Sequence, residues 1–421
     1  MKVKSQKFEI VGGNKLEGCF ENQTSKNATL PIMSASILCD GEITIFNTPQ
    51  ISDVQNMLKI LKQLGVKVEA GEGYLKLNPK QIKNIQIDCK LAKTMRSSIF
   101  LLGSLLSRFG SAIITLPGGC KIGSRPIDIH IKSLKRLGVN VSQFGDQIFF
   151  QVKNPRCGTV KLRIPSVGAT ENIIQYACKI KGKTIIKNAA REPEVVDLCN
   201  FLNKMGAKIL GAGTKRITIY GVDKLNSTTY KPTNDRIVAG TIMIATAICG
   251  GNVTISNTNP IENKKLIEIL RLMGCQIEIK SDIINIVRNK DLKQLDNLET
   301  GYYPNFPTDL QSCVLAMMTT AKGEGLVREN IFENRFLTVS ELNKMGAKID
   351  LIDSKTIKVK GVSNLIGTEV EAKDLRGGAC LVLAALAAKG KTTITNIEHI
   401  DRGYENIEEV LKGLGVNIRR I

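Results

Sequence analysis

Two kinds of hydrophobic pattern alternate along this 421-residue chain. Short stretches in which apolar and polar residues take turns predict half-buried strands, and segments with apolar residues every three or four positions predict amphipathic helices. A further kind of segment is built from small and apolar residues with almost no charge, as in residues 237–249 and 379–388. Such helices are buried on all sides. The pattern therefore predicts an α/β protein whose interior contains helices.

One sequence unit recurs six times along the chain. In each copy a predicted amphipathic helix ends in Leu-Gly or Met-Gly, and a β-branched strand follows. The glycine is expected to end the helix in the left-handed conformation, which glycine adopts at little cost. Successive glycines are 73, 68, 68, 72 and 69 residues apart, so units of about 70 residues fill the chain. The glycines are Gly65, Gly138, Gly206, Gly274, Gly346 and Gly415.

A short alternating strand precedes the amphipathic helix in every unit. These predicted strands are residues 42–47, 111–116, 184–188, 252–257, 325–330 and 392–396. The unit is longer than the solenoid repeats of about 20–50 residues. We therefore predict two similar α/β domains, each of three repeats with internal pseudo-threefold symmetry, with the buried helices central and the sheets outside. The predicted limits are residues 1–24 with 233–421 for the first domain, and 25–232 for the second.

The segment 117–126 combines glycines, a thiol and two cations. Gly118, Gly119 and Gly123 predict a mobile loop rather than a helix or a strand. Lys121 and Arg125 place positive charge near Cys120, and such charge favours the reactive thiolate. By itself the segment is equally consistent with a surface turn that happens to contain a cysteine.

Composition excludes several classes of protein. The chain has 59 Lys and Arg against 39 Asp and Glu, a formal charge of +20. Nucleic-acid binding is one explanation, but aromatic residues are only 5%, Trp is absent, and the lysines are spread along the whole chain. A solvated, lysine-rich surface is therefore favoured. We expect no signal peptide, because no apolar segment follows the basic residues 1–7. We expect no membrane span, because the longest uncharged stretch, residues 237–252, is too short.

Histidine and cysteine usage argues against a metal site. His130 and His399 are the only histidines, and the eleven cysteines form no CxxC pair. Zinc, iron and a serine–histidine triad are therefore not expected. The odd count and irregular spacing of the cysteines favour reduced thiols in a cytoplasm.

Charged residues recur at equivalent places in the units. A helix N-terminus favours bound anions, and Arg suits phosphate and carboxylate recognition. Each residue also has an ordinary interpretation, as a solvated or ion-paired Arg or as an N-cap in the case of Asp309 and Asp374. Their recurrence favours a site for multiply charged anions. The residues are Lys26, Asn27, Arg96, Asp235, Arg236, Asp309, Asp374 and Arg376 at helix starts, and Arg125, Arg191, Arg335 and Arg402 in the loops after the short strands.

Together these segments resemble the UDP-N-acetylglucosamine 1-carboxyvinyltransferase family of enolpyruvyl transferases, in order and from about Phe8 to Arg419. The resemblance implies two inside-out, barrel-like α/β domains and a cleft that closes on substrate. The motifs that carry it are Lys26-Asn27, Pro117-Gly118-Gly119-Cys120, Arg125-Pro126, Ser166-Val167-Gly168-Ala169-Thr170, Asn188-Ala189-Ala190-Arg191-Glu192-Pro193-Glu194, Phe306-Pro307-Thr308-Asp309, Phe332-Glu333-Asn334-Arg335-Phe336 and Asp374-Leu375-Arg376.

The resemblance also implies an activity. The enolpyruvyl group of phosphoenolpyruvate would pass to the 3-hydroxyl of UDP-N-acetylglucosamine with release of phosphate, by addition and elimination, at the first committed step of peptidoglycan synthesis. No cofactor would be needed. Nucleic acid and membrane are not expected partners, and the sequence leaves the oligomeric state open, a monomer included.

Roles carry over residue by residue. Cys120, on the loop 116–127 of the second domain, would protonate the methylene carbon of phosphoenolpyruvate, and Asp309 would take the proton of the sugar hydroxyl. Lys26 and Arg402 would also act in catalysis. The implied substrate-binding residues are Lys26, Asn27, Arg96, Arg125, Pro126, Ile127, Asp128, Ile129, Ser166, Val167, Gly168, Asp309, Ile331, Arg335, Asp374, Arg376 and Arg402.

One position departs from the family pattern. Ile164 stands where some relatives carry a lysine that adds to the nucleotide site, so that contact is either missing or supplied by Lys161 or Arg163. Three other interpretations stay open. They are the related shikimate-pathway transferase, which uses no cysteine on this loop; a paralogue of the cell-wall enzyme or a relative recruited to another UDP-sugar; and a basic repeat protein that binds nucleic acid.

Overall fold

The computed structural model describes residues 6–87, 91, 96–115 and 127–421. The chain folds into two compact units. One consists of residues 6–23 with Asn234–Ile421, and the other of the described residues between Thr24 and Thr233. The chain therefore leaves the first unit after its opening strands and returns to it after Thr233. The exact domain limits stay a prediction.

Three helices fill the centre of each unit. They carry little charge and are buried along almost their whole length, as the small-residue pattern predicted. In the unit that ends at Ile421 they pack on one another through Ile, Leu, Met and Ala side chains. The six central helices are Lys26–Ala35, Leu101–Phe109, Val167–Ala177, Arg236–Cys249, Thr308–Met318 and Leu375–Ala387.

In the described part of the chain, one amphipathic helix accompanies the central helix of each repeat. These helices are Ser52–Leu64, Asp128–Arg136, Pro193–Lys204, Lys264–Leu272, Val339–Lys344 and Ile407–Gly413. Short 3-10 helices precede or follow several helices at Ser36–Leu38, Arg96–Phe100, Pro260–Asn263, Arg335–Thr338 and Ile397–His399. Within the described ranges, no helix is long and apolar enough to cross a bilayer.

Each repeat has one small sheet with the same plan. Among the described residues, the strand after the central helix pairs in parallel with an edge strand in five repeats. It pairs antiparallel with a later strand of the same repeat, or in the last repeat with Phe8–Val11. In the unit that ends at Ile421 the sheets run, from edge to edge, as Leu16–Glu21, Gly251–Ser256, Ile283–Arg288 and Gln276–Lys280; Asn297–Glu299, Glu324–Arg328, Thr356–Lys360 and Lys348–Asp353; and Glu369–Glu371, Lys391–Thr395, Phe8–Val11 and Asn417–Arg420, with the pair Leu365–Ile366 and Ala388–Lys389 beside them.

The other unit repeats this plan. Its three-stranded sheet has a parallel bridge between Gln86 and Ile113 where the other sheets have an edge strand. The sheets are Thr228–Tyr230, Ile43–Phe46, Tyr74–Asn78 and Lys67–Gly71; Ser111–Thr115, Gln147–Val152 and Val139–Phe144; and Thr159–Lys161, Lys183–Lys187, Arg216–Tyr220 and Lys208–Leu210.

The chain termini complete the last repeat. Phe8 pairs with both Ile394 and Arg420, so the opening strand lies between two strands from the end of the chain. Each unit is thus an inside-out α/β domain, with central helices and outer sheets, built from three repeats. The predicted fold class is confirmed.

The repeat glycines have the predicted backbone geometry. Their φ angles lie between +85° at Gly346 and +106° at Gly274. The sequence pattern missed a second left-handed position, the Asn that directly follows the short strand. Its φ is between +54° and +56° in four repeats, at Asn47, Asn188, Asn257 and Asn396. Asn tolerates this conformation better than most residues do, and there it turns the chain out of the sheet.

Candidate active site

The unit that ends at Ile421 gathers charged residues around Asp309. Asp309 is the second residue of its central helix, after Pro307 at the N-cap. Its Oδ1 accepts a hydrogen bond of 2.9 Å from Arg335 Nη2, and its Oδ2 accepts one of 3.0 Å from Arg376 Nη2. Two guanidinium groups, one from the same repeat and one from the next, therefore compensate one carboxylate. Because a carboxylate oxygen can accept more than one hydrogen bond, a substrate hydroxyl can join this network.

Arg335 is held on every side. It opens the 3-10 helix Arg335–Thr338, and only 2% of it is exposed. Its Nε donates to Thr308 Oγ1 at 3.2 Å, and its guanidinium lies 5.4 Å from the ring centre of Phe332. Its Nη1 is 3.8 Å from Asp374 Oδ1. A buried charge needs such partners because desolvation disfavours it.

Arg376 is the second residue of the central helix that follows Asp374. Asp374 caps this helix by accepting the Arg376 and Gly377 N–H groups at 2.9 and 3.1 Å. Arg376 Nη1 donates to Tyr404 Oη at 3.4 Å, and the Tyr404 hydroxyl lies 2.9 Å from Thr241 Oγ1. Burial acts to lower the pKa of Arg376, but Asp309, Tyr404 and Asp235 together outweigh burial and the net pKa is raised. The guanidinium is thus permanently charged.

Arg402 stands on the turn that leads to Tyr404. Gln23 holds this turn, because its Nε2 donates to Gly403 O at 3.4 Å and its Oε1 accepts from the Glu405 N–H at 3.0 Å. A side chain at Gly403 would meet Leu375 at 3.0 Å, so the turn packs against the start of the helix that carries Arg376. The structure therefore brings Arg402 into the same region as Arg376.

The other unit places Lys26 and Asn27 in the first turn of its first central helix. Ser25 caps this helix by accepting the Ala28 N–H at 3.3 Å. Lys26 Nζ lies 3.4 Å from Asp53 Oδ2, and Asp53 is 1% exposed. The buried carboxylate holds the ammonium group of Lys26 at the helix start.

Ser166, Val167 and Gly168 form the start of another central helix. Ser166 Oγ accepts the Ala169 N–H at 3.4 Å, as an N-cap does. A Cβ on Gly168 would lie 3.2 Å from His130 Cε1, so glycine permits the close approach of that ring. Asn172 Nδ2 lies 3.1 Å from His130 Nδ1. The predicted segments Ile127–Ile129 and Ser166–Gly168 are therefore neighbours, joined through His130.

Asp128 begins the helix that carries His130. Ile127 and Ile129, on either side of it, are buried in the core of this unit. Asp128 Oδ2 lies 3.5 Å from Lys132 Nζ and 3.8 Å from Arg163 Nη2. Ile164 packs against the core. Of the two cations that could replace the missing lysine, Arg163 is the one with a described contact to a predicted site residue.

A buried acid lies on the same central helix as Gly168. Glu171 is fully buried, and burial raises the pKa of its carboxyl well above the usual value, with Glu194 and Glu192 adding to the effect. Glu192 Oε2 accepts the Arg191 N–H at 2.9 Å in the loop after the short strand. This part of the unit therefore holds a fully buried carboxyl group close to two further acidic residues.

Some predicted residues cannot be placed in the network. Cys120, Arg125 and Pro126 lie outside the described residues, as does the rest of the segment 116–126. Arg96 begins the 3-10 helix Arg96–Phe100. Ile331 lies in the loop after the strand Glu324–Arg328, and its N–H donates to Glu329 Oε1 at 2.8 Å.

Two charged residues that contact Lys26 and Thr308 were not predicted from the sequence. Asp53 looks like an ordinary acid in the first turn of a helix, and Glu329 ends a strand like many surface residues. Both are almost completely buried. Neither residue has a local signal, because Lys26 and Thr308, the residues they contact, are distant in the sequence.

The two inside-out α/β domains and the charged site described above define an enolpyruvyl transferase. The chain belongs to the family described as EPSP synthase (3-phosphoshikimate 1-carboxyvinyltransferase), whose family model matches residues 10–411. Within that family its relatives are named for another acceptor. It is 45% identical over 415 residues to UDP-N-acetylglucosamine 1-carboxyvinyltransferase 2 of Caldanaerobacter subterraneus and equally to UDP-N-acetylglucosamine 1-carboxyvinyltransferase of Halothermothrix orenii, with 99% of each chain covered.

The fold has a close match among solved structures. The enolpyruvyl transferase NikO from Streptomyces tendae superposes with a TM-score of 0.88 at 23% identity, covering 99% of both chains. At that identity the likeness concerns the fold alone. It agrees with the two inside-out α/β domains described above.

Proposed function

We propose that this protein transfers the enolpyruvyl group of phosphoenolpyruvate to the 3-hydroxyl of UDP-N-acetylglucosamine, the first committed step of peptidoglycan synthesis. The hydroxyl oxygen bonds to C2 of phosphoenolpyruvate, and the methylene carbon takes up a proton. The resulting methyl group then loses a proton while the C2–O bond to phosphate breaks. The products are the enolpyruvyl ether and inorganic phosphate.

The observation that carries the proposal is the Asp309 network. Both substrates are anions, and bringing them together requires cations that are already oriented. Arg335 and Arg376 each donate to Asp309 within 3.0 Å, and both are buried. A carboxylate that two guanidinium groups hold in place fits general-base work on a sugar hydroxyl, because its geometry does not have to be found anew in each turnover.

The other proposed roles follow the sequence prediction. Lys26 and Asn27 hold phosphoenolpyruvate and help to orient the sugar, and Arg96, Arg125, Arg376 and Arg402 bind phosphate and carboxylate groups. The UDP-sugar site is lined by residues 125–129 and 166–168, Asp309 and Ile331, with Arg163 beside Asp128. Arg335 and Asp374 also bind substrate. Cys120 donates the proton to the methylene carbon. We propose a cytoplasmic location, where both small substrates are available.

Phosphate release tests the proposal directly. Purified protein is mixed with phosphoenolpyruvate and UDP-N-acetylglucosamine, and inorganic phosphate is measured against mixtures that lack either substrate. We expect phosphate only when both are present. Shikimate 3-phosphate as the sole acceptor should give none, and turnover with it alone would assign the chain to the other branch of its family.

A binding measurement tests the nucleic-acid alternative. If the basic surface served nucleic acid, affinity for duplex DNA would be substantial at low salt and would fall steeply as salt rises. It would also be unchanged by Cys120→Ser. Transfer activity together with no measurable DNA binding at physiological salt is the result we expect.

Substitutions at Cys120 test the proton donor. Cys120→Ala should lose most of the transfer activity, because no acid is then available at that place. Cys120→Asp should retain activity, since a carboxylic acid can also deliver a proton. The measurement is kcat for phosphate release, with Cys157→Ala as the control because Cys157 is an exposed thiol elsewhere in the chain. A Cys120→Ala variant as fast as the parent would refute the assignment.

A further inference from the structure

Glu329 is a buried carboxylate next to the Asp309 network, and none of the roles above uses it. It follows the strand Glu324–Arg328 and is 1% exposed. Its Oε1 accepts the N–H groups of Ile331 and Phe332 at 2.8 and 3.1 Å, and its Oε2 accepts the hydroxyl of Thr308 at 3.0 Å. Both carboxylate oxygens of Glu329 thus accept hydrogen bonds from residues that neighbour the Asp309 network.

The hydroxyl of Thr308 has to be oriented in one direction. Arg335 Nε can only donate, so the hydroxyl must present a lone pair to it across the 3.2 Å contact. The hydroxyl proton then has to point elsewhere, and Glu329 Oε2 accepts it. Glu329 therefore determines which way the Thr308 hydroxyl turns.

The second oxygen of Glu329 reaches Arg335 by another route. Its bonds to the Ile331 and Phe332 N–H groups hold the backbone of that turn. The ring of Phe332 lies under the Arg335 guanidinium at 5.4 Å from its centre. Thr308 thus constrains the Arg335 guanidinium at Nε, and Phe332 constrains it on its face. The Glu329 carboxylate accepts hydrogen bonds from both Thr308 and Phe332.

We propose that Glu329 is a positioning residue for transfer. Through Thr308 and Phe332 it orients the guanidinium of Arg335, and the Arg335 Nη2 donor then sets the direction of the Asp309 carboxylate. This proposal rests on the function proposed above, because its kinetic test uses the transfer reaction. A displacement of about 1 Å in such machinery can cost about a hundredfold in rate.

Three substitutions separate this role from simple packing. Glu329→Gln keeps the shape but replaces one acceptor oxygen by an NH₂ group, which faces either the Thr308 hydroxyl or the Ile331 and Phe332 N–H groups. Thr308→Val removes the hydroxyl, and Thr308→Ser keeps it. The matched control is Glu341→Gln, another buried Glu in the same unit that accepts from Lys344, Lys373 and the Glu371 N–H, away from Asp309.

The expected results concern kcat at saturating substrates. Glu329→Gln and Thr308→Val should each lower kcat about tenfold, and the double variant should lose no more than the larger single loss, because the two act as one unit. Thr308→Ser should stay within about twofold of the parent. Glu341→Gln should lower the unfolding temperature and leave kcat unchanged.

Three results would overturn the proposal. Glu329→Gln could lower kcat no more than Glu341→Gln does, Thr308→Ser could fall as far as Thr308→Val, or the losses of the double variant could multiply. Hydrogen exchange of the Arg335 Nε–H, followed by NMR, gives a readout that needs no turnover. It should be faster in Thr308→Val and Glu329→Gln, and unchanged in Glu341→Gln. If the parent releases no phosphate, the proposed function fails, and this exchange rate still decides the role of Glu329.

Discussion

The contact between Lys26 and Asp53 could not be predicted from either residue alone. Lys26 Nζ lies 3.4 Å from Asp53 Oδ2, and the two belong to different helices of one repeat. Lys26 was predictable from its place at a helix start. Asp53 was not, because an acid in the first turn of an amphipathic helix is ordinary there and only packing shows that it is buried.

Substitution of these two residues should give unequal losses. Lys26→Ala should reduce kcat/KM for phosphoenolpyruvate by about a hundredfold or more, because the charge proposed to bind phosphoenolpyruvate is removed. Asp53→Asn should reduce it by about tenfold, which corresponds to about 1.4 kcal/mol, since the ammonium group remains but is less well held. Steady-state phosphate release measures both values.

The double variant provides the control for this pair. Lys26→Ala with Asp53→Asn should be no slower than Lys26→Ala alone, since Asp53 acts through Lys26. An Asp53→Asn variant with normal kcat/KM would show that the carboxylate serves stability only.

At the scale of elements, the glycine that ends each amphipathic helix is the most regular feature of the chain. All six have positive φ, but their surroundings differ. A Cβ on Gly138 would lie 1.9 Å from Asn154 O, whereas a Cβ on Gly346 would meet nothing within 4 Å. The same Leu-Gly or Met-Gly pattern thus marks glycines with different amounts of free space around them. Tertiary contacts determine at which of them a side chain would clash.

Two alanine substitutions should separate these demands. Gly346→Ala should cost about 1–2 kcal/mol of unfolding free energy, from the left-handed backbone alone. Gly138→Ala should cost at least about 1 kcal/mol more, because the Asn154 carbonyl must also move. Urea unfolding of the two variants measures the difference. Gly346→Asn is the control and should recover part of the loss, since Asn tolerates positive φ; equal losses at Gly138 and Gly346 would contradict this account.

At the scale of the whole molecule, charge is distributed unevenly between the surface and the interior. Surface lysines pair across strands, as Lys358 and Lys360 do with Glu324 at 2.7 and 3.2 Å. Such exposed pairs contribute little to stability. The interior instead contains Glu171, whose pKa is raised by burial and by two neighbouring glutamates. The pH dependence of stability should reflect the buried group more than the surface.

Glu171→Gln should stabilise the protein at neutral pH. Because the folded-state pKa of Glu171 lies above its unfolded value near 4.5, the folded state binds more protons and loses stability as pH rises between the two values. The advantage of the Gln variant should therefore be small near pH 4.5 and grow by about 1.4 kcal/mol for each pH unit up to the folded pKa. Urea unfolding from pH 4.5 to 8 measures it.

Glu341→Gln should show the opposite trend. Burial acts to raise the pKa of Glu341, but hydrogen bonds from Lys344 and Lys373 outweigh it and the net pKa is lowered. Its stabilising effect is present above the unfolded pKa and disappears as pH falls through the folded one. The Gln variant should thus be less stable than the parent at pH 8 and approach it in acid. Parallel pH profiles for the two variants would contradict both assignments.

The sequence by itself determined the six repeats, the central position of the uncharged helices and the places where charged residues begin helices. These features depend on hydrophobic period and on glycine geometry, which are local properties of the chain. The short strands were predicted to within about two residues at either end.

Only the tertiary structure decided which charges meet. Asp309, Arg335 and Arg376 belong to different segments, and no local pattern states that both guanidinium groups reach one carboxylate. Asp53, Glu171 and Glu329 were missed for the same reason. Burial changes the energy of a charged group by several kcal/mol, and burial is a property of the packed chain rather than of the residues beside it in sequence.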